Sequence, residues 1–77
     1  MKYFYYTYKS YTSNLKSGGE GKGVAAINGS VFPFSKVLNN ISNDIAIPID
    51  KIIITFFGEI SKEDFFELQD LINKGKY

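Results

Sequence analysis

The chain predicts an α+β fold, a small and mainly antiparallel sheet with two helices on one face, and three observations lead to it. Residues 2–11 (KYFYYTYKSY) crowd aromatic residues into a stretch without Gly, Pro or Asp, the profile of a strand. Residues 51–58 (KIIITFFG) are almost continuously apolar, as a buried strand would be. Two further segments, opening at Phe34 and after Ser61, space their apolar residues at three and four, the helical period.

In residues 2–11, period 2 puts Phe4, Tyr6 and Tyr8 on one face and Tyr3, Tyr5, Thr7, Lys9 and Tyr11 on the other. The set containing Phe4 is expected to face the core. Residues 12–22 (TSNLKSGGEGK) are polar and Gly-rich, which predicts a flexible loop. Val24 to Asn28 is short and apolar, and Asn28-Gly29 suits a type I′ turn, so a hairpin returning through residues 30–32 is expected. Phe34, Val37, Leu38 and Ile41 then share one helical face, with Pro33 tolerated in the first turn. Asn39, Asn40, Ser42, Asn43 and Asp44 compete for the backbone and predict an end near Ser42 or Asn43. Residues 44–50 form a connector, and 51–58 a strand that is central or covered on both sides. Ser61 is the N-cap of the last helix, with Asp64 at its third position and Ile60 and Phe65 as a hydrophobic staple. Phe65, Leu68, Leu71 and Ile72 line one face of it, and Gly75 is placed to stop it. The expected order is β-β-β-α-β-α, in a single domain spanning 1–77.

With 77 residues and no Cys, stability must come from packing rather than from disulfides or a thiolate metal site. Seven Phe and six Tyr supply large apolar areas for that purpose. The start of the chain has no continuous apolar stretch or small-residue cleavage site, and the longest apolar run falls far short of the roughly 20 residues a span needs. No membrane partner is expected, and a cytoplasmic location is the default. The net charge of +1 is unevenly spread: residues 1–36 hold five Lys against one Glu, and residues 37–77 four Lys against seven carboxylates. All basic residues are Lys, so no Arg fork is present to grip phosphate or guanine. The asymmetry reads as solvated surface.

The absence of His, Cys and Arg removes the common general base, the common nucleophile and the common oxyanion clamp together. A non-enzymatic protein without cofactor or metal is expected. Glu59, Glu63, Asp64 and Glu67 cluster where a helix N-terminus and its cap account for them, and none of the EF-hand spacing is present. Residues 17–23 (SGGEGKG) invite comparison with a phosphate loop. Lys16 stands where such a loop needs its first Gly, and Gly23 where it needs Ser or Thr.

The candidate binding residues are Tyr3, Tyr5, Lys9 and Tyr11 on the outward face of the first strand, with Phe66 off the buried face of the last helix. Tyrosines on a half-covered sheet serve as core and rim, as a protein interface, or as a stacking platform for single-stranded nucleic acid. The reading that follows is a small non-catalytic binding module acting by protein-protein recognition. A single-stranded nucleic-acid binder is the alternative. Self-pairing into a homodimer through an aromatic edge strand belongs with the first reading.

KYFYYTYKSY, the Gly-rich stretch, the Asn-Gly pair and IIITFFGEISKEDFFEL together resemble the small uncharacterised proteins carried by phages and mobile elements of AT-rich bacteria. That resemblance carries over no residue roles. It implies an inhibitor of a host protein, acting in the host cytoplasm.

Overall fold

The computed structural model describes residues 1–11 and 17–75. The elements run β1 (Lys2–Tyr11), β2 (Ser17–Ile27), α1 (Phe34–Ile45), a 3-10 turn (Ile49–Lys51), β3 (Ile52–Ile60) and α2 (Lys62–Asn73). The strands form one antiparallel sheet in the order β2-β1-β3. The fold is therefore α+β, with three strands among the described residues where four were expected.

The difference lies between residues 17 and 32. Residues 17–22, expected within the flexible loop, are strand and pair with β1 from Thr7 to Tyr11, while residues 12–16 of that expected loop lie outside the described residues. Glycine itself explains the pairing. Gly21 and Gly23 lie opposite Tyr8 and Tyr6, and a Cβ at either position would overlap the facing tyrosine ring. Bare backbone on β2 thus makes room for rings lying across it from β1. The hairpin expected at Asn28-Gly29 does not form: residues 28–31 are bends that lead into α1. Phe32 is drawn into the core instead, its ring edge-on to Phe4 at 5.5 Å and stacked on Phe57 at 4.6 Å.

The core lies on the Phe4 face of the sheet, where Phe4, Phe32, Val37, Ile41 and Ile52 are buried, with Tyr6, Tyr8, Leu38 and Ile54 packed around them. α1 supplies Val37 and Ile41 to it from positions i and i+4. The helix continues to Ile45, beyond the expected stop, and ends where Ala46 turns left-handed at φ 57°. Ser42 donates its hydroxyl to the Ile47 carbonyl at 2.7 Å, so it serves the chain leaving the helix rather than breaking the helix early.

α2 begins as expected: the Ser61 hydroxyl accepts from the Asp64 amide at 3.1 Å. It ends at Gly75, φ 69°, whose amide donates to the Ile72 carbonyl at 3.0 Å. The two helices do not share a face, contrary to the sequence-based expectation. Phe65 is buried outside the main core cluster, with its ring 4.9 Å from that of Tyr3, and Tyr3 points away from Phe4. α1 covers the Phe4 face and α2 one end of the Tyr3 face. The aromatic second face of β1 offers α2 an apolar seat of its own.

β1 is the central strand, and β3, expected to be central or covered on both sides, is an outer one. A row of tyrosines suits the centre because it serves a core on one face and a helix on the other. In β3, Ile53, Phe56 and Phe57 remain exposed.

Candidate functional site

The Tyr3 face of the sheet divides in two. At the α2 end, Tyr3 is half-buried against Phe65, and Phe66, itself exposed, stands 6.5 Å from it. At the other end Tyr5, Thr7, Lys9 and Tyr11 follow along β1, flanked by Glu20 and Lys22 of β2 and by Ile53, Thr55 and Phe56 of β3. Of the five sequence-predicted residues, Tyr5, Lys9 and Tyr11 share this open half. Tyr3 and Phe66 are gathered at the α2 end, where Tyr3 works in packing.

Cross-strand register fixes the local chemistry of the open half. Lys9 faces Glu20 across the β1–β2 ladder, and their charged ends lie 3.5 Å apart, both well exposed. Such a pair contributes little to stability in water, but it sets a positive and a negative group side by side on the surface. Thr7 and Thr55 join hydroxyls at 2.7 Å. Tyr5 meets Phe56 at 6.3 Å in a tilted arrangement. Across the three strands here lies an open hollow of about 400 Å³, with Tyr5, Thr7, Lys9, Glu20, Lys22 and Thr55 among its lining residues. Exposed apolar groups frame it: Tyr11 is 41% exposed, Ile53 51% and Phe56 55%.

Sequence reasoning missed Ile53, Thr55 and Phe56. Residues 51–58 read as apolar on both faces, and a bulge in β3 hides the alternation that would have separated them. Thr7 pairs with Phe56 and Tyr8 with Ile54, which leaves Thr55 as the extra residue.

Among the described residues no group of three or more acidic, His or Cys side chains is placed to hold a metal. Tyr6, whose pKa is displaced, is on the core face. Burial pushes its hydroxyl above the ordinary tyrosine value, with smaller contributions in the same direction from Tyr8 and Asp44. Among the described residues no helix is long and apolar enough to cross a membrane.

No family model matches the chain, and no curated protein or solved structure matches it significantly.

Proposed function

We propose that the chain is a small non-catalytic recognition module that binds another protein through the open half of its Tyr3 face. The observation that carries this reading is the cluster of Tyr11, Phe56 and Ile53, all exposed, around Tyr5 and the Lys9–Glu20 pair on one sheet surface. Exposed aromatic and aliphatic groups gathered beside charges of both signs have the make-up of a protein interface, a core of rings with a polar rim. The single-stranded nucleic-acid reading has less support, because Glu20 places a carboxylate beside Lys9 where a phosphate-tracking groove needs cations alone. With the likeness to phage and mobile-element proteins, the partner is a host protein and the outcome its inhibition in the host cytoplasm. Self-association, on this reading, falls to an outer strand, since β1 is paired along both its edges.

The test is capture from a bacterial lysate by the immobilised chain, with nuclease and without, compared with Tyr5→Ser/Tyr11→Ser and with Phe66→Ser. The expected result is a nuclease-resistant protein partner lost with the double variant and kept with Phe66→Ser, while circular dichroism shows both variants folded. Capture that disappears with nuclease and weakens steeply with salt would favour nucleic acid instead. Capture unchanged by the double variant would refute the assignment of the face.

A further inference from the structure

The outer edge of β3 is apolar on both sides of the sheet over residues 52–58, and its one charged residue, Glu59, stands near the end of the strand. Residues 52–58 contain neither a charged residue nor a Pro, the devices that usually blunt an edge, whereas the opposite edge, β2, bears Glu20 and Lys22. Among the described residues no strand pairs with this edge of β3. Its exposed side chains lie on both faces: Ile53 and Phe56 opposite Lys9 and Thr7 on the Tyr3 face, and Phe57 opposite Tyr6 on the Phe4 face.

The bulge centres the face order of the strand between two residues. Ile53, Phe56 and Gly58 face with Tyr3, and Ile54 and Phe57 face with Phe4, as their β1 partners require. Thr55 joins the Tyr3 side, because its hydroxyl bonds that of Thr7. From 53 to 58 the order of faces is therefore Tyr3, Phe4, Tyr3, Tyr3, Phe4, Tyr3, which reads alike in both directions. A two-fold axis normal to the sheet, between Thr55 and Phe56, sets a second copy of β3 antiparallel to the first with every face preserved. Ile54 then opposes the partner's Phe57 on the Phe4 side, while Thr55 opposes the partner's Phe56 and Ile53 the partner's Gly58 on the other. No like charges meet, and a β-branched residue opposite an aromatic one is among the favourable cross-strand pairs.

We propose that β3 pairs with β3 of a second copy about this axis, making a two-fold, six-stranded antiparallel sheet. About this axis the strand complements itself, Ile54 meeting Phe57 and Thr55 meeting Phe56 as β-branched and aromatic pairs with no charge opposed, which argues for a second copy as occupant. This self-pairing extends the protein-recognition reading to the outer edge and does not depend on what the open face binds. One strand pair is a small contact beside the roughly 1,200–2,000 Å² of a stable interface, so a reversible dimer that forms at high concentration is expected.

The test is sedimentation equilibrium of the native chain from about 10 μM to 1 mM, a span that brackets weak association, alongside Phe56→Lys and Tyr5→Ser/Tyr11→Ser. Phe56 is exposed, so the Lys variant keeps its fold while bringing two ammonium groups together at the axis. The native chain should reach dimer mass, Phe56→Lys should weaken association about tenfold or more, corresponding to about 1.4 kcal/mol, and the double tyrosine variant should dimerise like the native chain. Because the sequence has no Cys, Ile54→Cys and Phe57→Cys chains mixed under mild oxidation should give the mixed disulfide, and neither alone should cross-link, since the register holds like positions too far apart. A monomer throughout the range, a dimer unaffected by Phe56→Lys, or each Cys variant cross-linking to itself would overturn the proposal.

Discussion

Replacing Gly23 by Ala tests the packing on which the sheet depends. Gly23 is buried and lies opposite Tyr6, and an added Cβ would come within 2.5 Å of the ring carbon Cζ, well inside contact distance. The ring has little room to yield, because it packs against Phe32 at 5.9 Å and Tyr8 at 6.4 Å. The positive-φ glycines among the described residues are Gly19 and Gly75, so the backbone at 23 is one that Ala adopts. Two effects then compete. Restricting the unfolded chain stabilises by roughly 0.4–1 kcal/mol, while overpacking costs about 1–3 kcal/mol. The overlap decides the sign, and a net loss of about 1–2 kcal/mol is expected, which for a chain of this size lowers the melting temperature by about 5–15 °C. Urea denaturation followed by circular dichroism measures it, with Gly29→Ala as control, where the nearest atom outside the neighbours is Ile27 Cδ1 at 3.8 Å. The same substitution in a Tyr6→Leu background should cost less, since the ring it strikes is gone. A neutral or stabilising Gly23→Ala, or an equal cost in both backgrounds, would refute the account of β2.

Ser61→Ala removes the acceptor for the Asp64 amide and should cost about 1 kcal/mol in the same denaturation assay, whereas Ser61→Asp should restore most of it. Burial raises the Tyr6 pKa in the folded state above its unfolded value. Between those two values the folded chain holds the proton more than the unfolded chain does, so stability is full below the unfolded value near 10 and falls as pH rises through the raised one. Melting temperatures measured from neutral to strongly alkaline pH should show this decline, and Tyr6→Phe should flatten it.

Signals that depend on one residue type in one local role were legible in the sequence. Ser61 and Gly75 bound α2 because a cap hydroxyl and a left-handed stop are local chemistry, and the two faces of β1 follow from alternation alone. β2 was hidden because glycine is counted as a breaker. Yet Gly19, Gly21 and Gly23 recur at period 2 opposite Ser10, Tyr8 and Tyr6, so the pattern was that of a strand written in absent side chains. The place of KIIITFFG was misjudged for another reason: an apolar strand indicates burial on both faces or exposure to a partner, and sequence does not separate the two. That also concealed Ile53 and Phe56 as members of the candidate face.

The dimensions of the elements explain why half of that face stays open. β1, ten residues long, extends about 33 Å at about 3.3 Å per residue. α2, with twelve residues, is about 18 Å long at 1.5 Å per residue. Even aligned with the strands, α2 would shield about half of the tyrosine row, and it is seated at the Tyr3 end. Among the described residues the other helix, α1, is committed to the opposite face by Val37 and Ile41. A fold meant only to be stable could have finished β1 with polar residues beyond Thr7 on the Tyr3 face. Instead Tyr11 stands at its far end, level with the exposed Ile53 region of β3. Apolar surface kept where neither helix of the described residues reaches is a cost to solubility, and under the proposed function recognition of a partner offsets it.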